Sequence, residues 1–199
     1  RSSAASDVYK RQPLHLSAFL LDWFDENKRE LPFRQNRSLY SIWVSEVMLQ
    51  QTKVDTVIPY FNSWMKKFPN ISSVAEASEE SILKSWEGLG YYSRCRNFHK
   101  AAKIIVNDYD SKIPKDWDSF RSLPGVGDYT AGAVLSIALN ENYLAIDGNV
   151  KRVVSRITAR KKLSKYNLNY IKSFLSKNID INRTGDFNEA LMELGAVSY

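Results

Sequence analysis

Residues 122–150, SLPGVGDYTAGAVLSIALNENYLAIDGNV, contain the pattern that decides the fold. The first part predicts two short helices joined by a tight hairpin, because Pro124 fixes its own φ and ends the first helix. Gly125 and Gly127 permit backbone conformations that other residues avoid, and they carry no side chain to block a close approach. The second helix is predicted to begin near Asp128, where its unpaired backbone N–H groups are suited to a phosphate.

A carboxylate follows the hairpin within the same stretch. Asp147 lies on a predicted turn, AIDGNV, just before a helix predicted for residues 149–160. It could serve only as the N-cap of that helix, and the hairpin alone could be an ordinary corner between two helices. The combination of a phosphate-binding hairpin and a nearby acid favours a functional role for Asp147. The same carboxylate can cap the helix and serve that function at once.

Composition sets broad limits on the chain. Its 199 residues are 44% hydrophobic, which is typical of a globular protein rather than a disordered one. The formal net charge of +6 suits a polyanionic partner, although charge alone is weak support for one. The single cysteine, Cys95, cannot form an internal disulfide, which indicates a reducing compartment. Neither a membrane-spanning run nor a secretory signal is recognised, so we predict no membrane partner.

Apolar residues recur at helical spacing along most of the chain, and no stretch alternates with a period of two. We therefore predict an all-α protein with about ten helices. Pro59 is expected to bend or interrupt the helix of residues 53–68. Residues 1–12 lack any apolar period and are predicted to be a disordered lead or a scar outside the fold. One face of the first helix is predicted to be buried and consists of Leu16, Phe19, Leu20, Trp23 and Phe24.

A single acid interrupts an apolar helix in SEVMLQQT, residues 45–52. By periodicity Glu46 lies at the border of the buried face, where ionisation is costly and the pKa should rise. A carboxyl with a raised pKa can act as a general acid at neutral pH. A solvated glutamate at the edge of an amphipathic helix is the commoner alternative.

Five motifs together resemble the MutY family of adenine DNA glycosylases, part of the helix-hairpin-helix superfamily that includes endonuclease III-like enzymes. They are SEVMLQQT, GLGYYSR, LPGVGDYTAG, IDGNVKRV and FNEALMELGA, in the order expected for that family. The resemblance covers roughly residues 16–197, nearly the whole catalytic domain. It implies two helical lobes with DNA across the cleft between them. Residues 38–145 would form a helical barrel with the hairpin, and residues 13–37 plus 146–199 a second lobe, incomplete at its C-terminus.

The same resemblance implies hydrolysis of the N-glycosidic bond of adenine mispaired with 8-oxoguanine or guanine in double-stranded DNA. Glu46 would protonate the adenine ring, and Asp147 would stabilise the positive charge that develops on the deoxyribose. Tyr129 and Asn149 match family residues that support the catalytic aspartate and the attacking water. The positions that match the adenine pocket of the family are Phe33, Arg34, Leu49, Val54 and Glu189. Many family members have a tryptophan in place of Phe33.

For DNA binding, the resemblance distinguishes residues that enter the duplex from residues that hold its phosphates. Gln51 and Tyr91 match positions that enter the duplex near the lesion. Arg94 is one of the basic residues that could extend the phosphate contact, with a solvated surface charge as an equal alternative. The phosphate-binding positions of the hairpin are Gly125, Val126 and Gly127.

Tyr129 bears on the type of reaction. Endonuclease III-like enzymes carry a lysine at this position, and its amine can attack C1′, form a Schiff base and lead to strand cleavage. A tyrosine cannot do so, and we therefore predict a monofunctional glycosylase that uses water. Two alternatives stay open: a mismatch glycosylase or lyase of the endonuclease III type, and a truncated DNA-binding module without catalysis.

Most family members continue after ELGA into a four-cysteine loop that holds a [4Fe–4S] cluster, and then into a domain that recognises 8-oxoguanine. This sequence ends at Tyr199, near the expected position of the first cluster cysteine. Either the chain is truncated at its C-terminus or this member lacks the cluster. In both cases we expect no metal site within this chain, and a cluster in a full-length member of the family. The chain is further predicted to be a monomer in the cytoplasm of a bacterium, associated with the nucleoid.

Overall fold

The computed structural model describes residues 16–159 and 167–197, so the predicted lead of residues 1–12 and the chain end at Tyr199 lie outside the described residues. Within those ranges the chain forms helices and no strand, which confirms the all-α prediction. None of these helices is long and apolar enough to cross a membrane. In chain order they are α1 (Leu16–Asn27), α2 (Pro32–Gln35), α3 (Leu39–Leu49), α4 (Val54–Lys67), α5 (Ile71–Glu76), α6 (Glu79–Trp86), α7 (Tyr92–Asp108), α8 (Trp117–Arg121), α9 (Asp128–Leu139), α10 (Gly148–Ile157), α11 (Leu168–Asn178) and α12 (Thr184–Val197).

Short polar side chains mark where several helices begin. Ser78 accepts a hydrogen bond from the backbone N–H of Ser81, as an N-cap of α6 should. Each such cap satisfies a backbone donor that the helix leaves unpaired, and it stabilises the helix by about 0.5–2 kcal/mol. The caps of α3, α5, α8 and α10 are Ser38, Asn70, Asp116 and Asp147.

Three local features differ from the sequence prediction. The sequence LPFR at residues 31–34 predicts the start of a loop after α1. Residues 32–35 instead form the short helix α2, because Pro32 occupies its first position and the fixed φ of proline suits a helix start. Phe19 is 60% exposed, and Leu21 takes its place in the buried face of α1. Pro59 does not interrupt α4, since the apolar side of this helix is buried and packing compensates for the missing hydrogen bond. The alternative expectation, a bend at Pro59, stays a prediction.

The larger hydrophobic cluster is built around α3 and α9, which lie against each other. Residues 40–48 of α3 and residues 130–137 of α9 are all buried. Trp64 packs edge-on against Trp86 in the same cluster, with ring centroids 5.7 Å apart. Polar side chains on helices this deeply buried need partners, because an unpaired buried polar group is costly.

A second hydrophobic cluster joins residues of α1, α10, α11 and α12, and so combines both ends of the described chain. Leu31 and Phe33 pack in the first cluster, although they precede α3 in the sequence. The division into residues 38–145 and residues 13–37 plus 146–199 stays a prediction. The existence of two clusters supports it, with the segment around α2 lying against the barrel rather than the second lobe.

α12 contacts both clusters, since it packs on α9 as well as on α1 and α10. At this boundary the buried amide of Asn188 donates to the Oγ of Ser136 and to the carbonyl of Tyr143. Its Oδ1 accepts a hydrogen bond from the backbone N–H of Ala145. Asn188 therefore fixes the segment that leads from α9 to Asp147.

A methyl group at Gly132 is expected to destabilise the fold. An added Cβ would lie 2.4 Å from the carbonyl oxygen of Leu144, a backbone atom that cannot move aside cheaply. We expect Gly132→Ala to lower the free energy of unfolding by about 1–3 kcal/mol, despite the better helix propensity of alanine. Urea denaturation measures the change. Gly148→Ala is the control, because a Cβ there meets nothing within 4 Å, and equal losses in both variants would contradict the prediction.

Candidate active site

A cavity of about 190 Å³ lies where α2, α3, α9, α10 and α12 meet. The fold brings the predicted catalytic and adenine-pocket residues to this one place from widely separated parts of the sequence. Their individual roles stay predictions. The predicted residues that line the cavity are Phe33, Arg34, Glu46, Leu49, Val54, Tyr129, Asp147, Asn149 and Glu189.

Glu46 is the buried acid of the cavity. It is 7% exposed, and its Oε2 accepts a hydrogen bond of 2.8 Å from the hydroxyl of Tyr129. Burial is the main cause that raises the pKa of Glu46 to about 7. The Tyr129 hydrogen bond opposes this rise, whereas the negative charges of Glu189 and Asp147 add to it. The predicted rise in pKa is confirmed, and a neutral carboxyl is available near neutral pH.

Tyr129 provides a hydroxyl that stays protonated. Burial raises the pKa of Tyr129 well above its ordinary value, and the carboxylates of Glu46 and Asp147 act in the same direction. The hydroxyl oxygen also lies 3.2 Å from the Sδ of Met192. Tyr129 therefore acts as a fixed donor that holds the Glu46 carboxyl in one orientation.

Asp147 is both the N-cap of α10 and part of the cavity wall. Its Oδ1 accepts a hydrogen bond from the backbone N–H of Val150, and its Oδ2 accepts one from the Asn149 side chain, each 2.8 Å long. Arg152 in turn donates to the Oδ1 of Asn149 and to the carbonyl of Gly195. Both oxygens of the aspartate are thus held by donors. Asp147 caps α10 and lines the cavity at the same time, and its catalytic role stays a prediction.

Two acids of α12 hold arginines in the cavity wall. Glu189 accepts a hydrogen bond of 3.1 Å from Arg34 and another from Arg37. One helical turn later, Glu193 accepts hydrogen bonds from Arg29 and Arg34. Burial alone would raise the pKa of Glu193, but the bonds and charges of its two arginines outweigh burial and the pKa is lowered. The part of the wall formed by α12 therefore presents paired charges rather than free ones.

Removing the charge of Glu193 is expected to loosen this wall. Glu193→Gln keeps the size of the side chain but weakens its hydrogen bonds to Arg29 and Arg34, which costs about 1–3 kcal/mol of folding stability. Because the folded-state pKa of Glu193 lies below its ordinary 4.5, the loss should be complete above pH 4.5 and vanish as the pH falls through the folded-state pKa.

Urea denaturation of Glu193→Gln across an acid titration measures this dependence. Glu141→Gln is the matched control, since Glu141 is exposed and its replacement should leave the free energy of unfolding nearly unchanged. A difference between wild type and Glu193→Gln that does not depend on pH would contradict the prediction.

Apolar side chains supply the rest of the wall. Phe33, Leu49 and Val54 line the cavity, and Phe33 is 6% exposed. Its ring packs edge-on against Phe61, with centroids 5.6 Å apart. An apolar wall beside a few fixed polar groups suits a planar aromatic ligand with polar edges.

The hairpin between α8 and α9 lies outside the cavity. Gly125 has a φ of +80°, and Gly127 is the N-cap of α9 without a side-chain cap, which leaves the first turn of α9 suited to an anion. Val126 differs, because its side chain is buried and its N–H donates to the carbonyl of Leu123. Val126 therefore supports the hairpin from inside, and its grouping with the two glycines as a phosphate contact stays a prediction.

Gln51 and Tyr91 are exposed and lie on two different loops, between α3 and α4 and between α6 and α7. Both have positive φ, 58° and 48°, which is uncommon outside glycine. Arg94 donates hydrogen bonds to backbone carbonyls of both loops. Neither expectation for Arg94, a phosphate contact or a solvated charge, is correct, because its guanidinium is occupied inside the protein.

Sequence reasoning missed Arg29 and Glu193 at the cavity, and Arg152 behind Asn149. A signal for part of this was present, since Glu189 and Glu193 are four residues apart and are the only charged residues in the second part of α12, EALMELGAV. Two carboxyl groups on a buried helix face stay ionised only if basic side chains pair with them. The identity of those partners depends on which distant segments the fold brings to α12.

Metal binding requires several donor side chains that lie close together. Among the residues that the structure describes, no group of three or more His, Cys, Asp or Glu is placed to hold a metal ion. Cys95 is the only cysteine of the sequence, and burial raises the pKa of its thiol to about 12. A [4Fe–4S] cluster needs four thiolates, so the residues of this chain do not fit one. No chemical step is therefore assigned to a cluster.

The chain is similar to proteins named adenine DNA glycosylase. It is 41% identical over 187 residues to the one from Buchnera aphidicola subsp. Acyrthosiphon pisum, which covers 90% of this chain and 52% of that protein. It is 43% identical over 188 residues to the one from Rattus norvegicus, which covers 89% of this chain and 36% of that protein. The chain spans about half or less of the length of these curated relatives.

Solved structures share the fold. A thermostable thymine-DNA glycosylase matches with a TM-score of 0.82 at 24% identity, over 90% of this chain and 84% of that one. A trapped covalent intermediate of endonuclease III with DNA matches with a TM-score of 0.75 at 22% identity, over 89% of this chain and 81% of that one. Residues 44–176 match the HhH-GPD family, described as "HhH-GPD superfamily base excision DNA repair protein". The chain therefore belongs to the HhH-GPD superfamily of base excision DNA repair proteins.

Proposed function

We propose that the chain is the catalytic part of a DNA glycosylase that hydrolyses the N-glycosidic bond of adenine in double-stranded DNA, opposite 8-oxoguanine or guanine. One observation carries this proposal: a buried acid with a pKa of about 7, Glu46, and a hydrogen-bonded aspartate, Asp147, line the same cavity. The similarity to proteins named adenine DNA glycosylase adds support.

Glu46 supplies the proton that the leaving group needs. Neutral adenine leaves poorly, and protonation of its N7 makes it a much better leaving group. At a pKa of about 7 roughly half of the Glu46 carboxyl groups are neutral near pH 7. Because Oε2 accepts the hydroxyl of Tyr129, the transferable proton belongs to Oε1. Transfer from a positioned acid contributes about 10²–10⁴-fold to a rate.

Asp147 stabilises the sugar as the bond to the base breaks. Positive charge develops at C1′ of the deoxyribose, and a fixed carboxylate lowers the free energy of that state. After Glu46 has given its proton to adenine, its carboxylate accepts a proton from the attacking water, so that the protons balance. The products are free adenine and an abasic site.

The target base must leave the helical stack before it can reach these groups. The apolar wall formed by Phe33, Leu49 and Val54 receives the base, and the pair Arg34–Glu189 contacts its polar edge. Gln51 and Tyr91 enter the duplex where the base has left. The backbone amides of the hairpin glycines hold a phosphate nearby.

Tyr129 favours hydrolysis over strand cleavage. A lyase needs an amine that attacks C1′ and forms a Schiff base, and the phenol of a buried tyrosine does not provide one. We propose a monofunctional enzyme. The likeness to an endonuclease III structure concerns the fold and leaves the chemistry of this site to its own residues.

Single-turnover release of adenine from duplexes that contain A:8-oxoguanine, A:G or A:T tests the function. The expected order of rates is A:8-oxoguanine and A:G above A:T, with intact DNA strands until alkali is added. A chain that binds these duplexes but releases no base would be a DNA-binding module. A protein–DNA adduct trapped by borohydride would contradict the monofunctional mechanism and identify a lyase.

Three further features stay predictions. A [4Fe–4S] cluster is expected in full-length members, with ligands other than the residues of this sequence. The chain is expected to act as a monomer on mispaired DNA. Its location is expected to be the nucleoid of a bacterial cytoplasm.

A further inference from the structure

Two loops carry the residues proposed to enter the duplex. Residues 50–53 contain Gln51 and residues 87–91 contain Tyr91, and we name these segments the insertion loops. Both side chains project from a left-handed backbone conformation, which costs free energy outside glycine and persists only where the surroundings enforce it. The structure must therefore contain a group that holds these loops in place.

Arg94, near the start of α7, holds the first insertion loop. Its Nη1 donates to the carbonyls of Val47 and Met48, each at 2.9 Å, and to the carbonyl of Gln50. The last carbonyls of a helix have no partner within the helix, and here a guanidinium satisfies those at the end of α3. Its Nη2 also lies 3.2 Å from the hydroxyl of Thr52.

The same guanidinium holds the second insertion loop. Nη2 lies 3.4 Å from the carbonyl of Leu89 and 3.3 Å from that of Gly90. The Cζ of Arg94 is 5.4 Å from the centroid of the Tyr91 ring and the same distance from that of Trp86. In the part of the chain that the structure describes, no direct hydrogen bond joins the two insertion loops, so their polar connection runs through Arg94.

We propose that Arg94 is a positioning residue that ties the two insertion loops into one preformed wedge, so that Gln51 and Tyr91 enter the duplex together and the target adenine is extruded. This inference rests on the proposed function. Arginine suits the task because its planar fork presents five donors in a fixed geometry, whereas a lysine ammonium presents three on a flexible stem. Arg94 contacts no reacting atom in this account and acts through the loops.

Arg94→Met and Arg94→Lys test the proposal in the 199-residue chain. Arg96→Met is the matched control, because it removes the same charge from α7 two residues further along. Arg96 pairs with the exposed Glu79 in the structure. Hydrogen exchange of the free chain should show amides of the insertion loops exchanging at least about tenfold faster in both Arg94 variants. The buried amides of α9 should exchange as in wild type, and Arg96→Met should change neither set.

Two DNA measurements follow. With 2-aminopurine in place of the target adenine, the fluorescence rise that reports unstacking should be smaller in both Arg94 variants. Single-turnover release of adenine from an A:8-oxoguanine duplex should fall about 10- to 100-fold, the scale expected for a misplaced positioning group. Release from a single-stranded oligonucleotide, whose adenine needs no extrusion, should stay close to the wild-type rate.

Each contrary outcome is distinct. Equal acceleration of exchange in the insertion loops and in α9 would indicate general destabilisation and overturn the proposal. An equal loss of rate on duplex and single-stranded DNA, or no loss on either, would also overturn it. If wild type itself releases no adenine, the proposed function fails, and exchange and 2-aminopurine unstacking still decide whether Arg94 organises the wedge.

Discussion

Glu46→Gln is expected to lower the single-turnover rate of adenine release by about 10²–10⁴-fold while leaving DNA binding nearly intact. Glutamine keeps the size of the side chain. Its carbonyl oxygen can still accept the hydrogen bond that the Tyr129 hydroxyl donates to Glu46 in the wild type, at 2.8 Å. What it lacks is a transferable proton. In wild type the same proton makes the rate depend on pH: activity should decline above pH 7, because the pKa of Glu46 is about 7 and its ionised form cannot protonate adenine.

The same substitution is expected to stabilise the fold at alkaline pH. The folded-state pKa of Glu46, about 7, lies above its ordinary 4.5, so between these values the folded chain holds a proton that the unfolded chain has lost. The free energy of unfolding of wild type therefore falls as the pH rises through this window. At pH 8 Glu46→Gln should exceed wild type by up to about 3 kcal/mol, from about 1.4 kcal/mol per pKa unit. Below pH 4.5 the advantage should disappear.

Urea denaturation and single-turnover kinetics on one set of samples check both effects. Glu80→Gln is the control, since Glu80 is an exposed residue of α6 and its replacement should change neither quantity. A Glu46→Gln variant that releases adenine within tenfold of the wild-type rate would exclude Glu46 as the general acid. A variant no more stable than wild type at pH 8 would exclude the costly burial of its charge.

Asp147→Asn is expected to lower adenine release by about 10²–10³-fold and folding stability by only about 1 kcal/mol. Asparagine caps a helix as well as aspartate does, so the hydrogen bond from Val150 that begins α10 is retained. The amide cannot accept the second bond, from Asn149, in addition, which costs about 1 kcal/mol. The negative charge that opposes the growing charge at C1′ is lost, and the rate falls for that reason.

Two further variants separate the cap of Asp147 from its charge. Asp147→Ala loses both and should be about 0.5–2 kcal/mol less stable than Asp147→Asn, with a rate as low as that of Asp147→Asn. Asp116→Asn makes the same exchange at the N-cap of α8, away from the cavity, and should leave the rate unchanged. Full activity of Asp147→Asn would mean that Asp147 is only a cap.

Local sequence patterns correctly predicted the helical fold and the starts of α9 and α10, because spacing and capping residues depend on neighbours in the chain. Periodicity was misleading at Phe19, which has the right spacing but is exposed. Helical spacing identifies a face and cannot say how far the partner helix extends over it. The short helix α2 was not predicted, because four residues are too few to show a helical period.

In the candidate site, too, some residues followed from the local sequence and others depended on distant contacts. Motifs placed Glu46, Tyr129 and Asp147 in the sequence, and the raised pKa of Glu46 followed from an acid at the border of a buried helix face. The network of Arg29 and Glu193 did not follow, because its partners are far apart in the chain and charge pairs carry no sequence period.

By itself, the sequence determined that the chain is helical and that an acid interrupts an apolar helix. It also determined that the glycines of the hairpin leave room for a phosphate to approach the backbone closely. These properties depend on φ, helical spacing and the cost of burying a charge, all of which act within a few residues. Only the tertiary structure decided that Glu46 and Asp147 share one cavity, and that Arg94 lies between the insertion loops rather than in solvent. Those outcomes depend on which distant surfaces pack together, because a side chain's burial and partners are set by neighbours that local spacing does not specify.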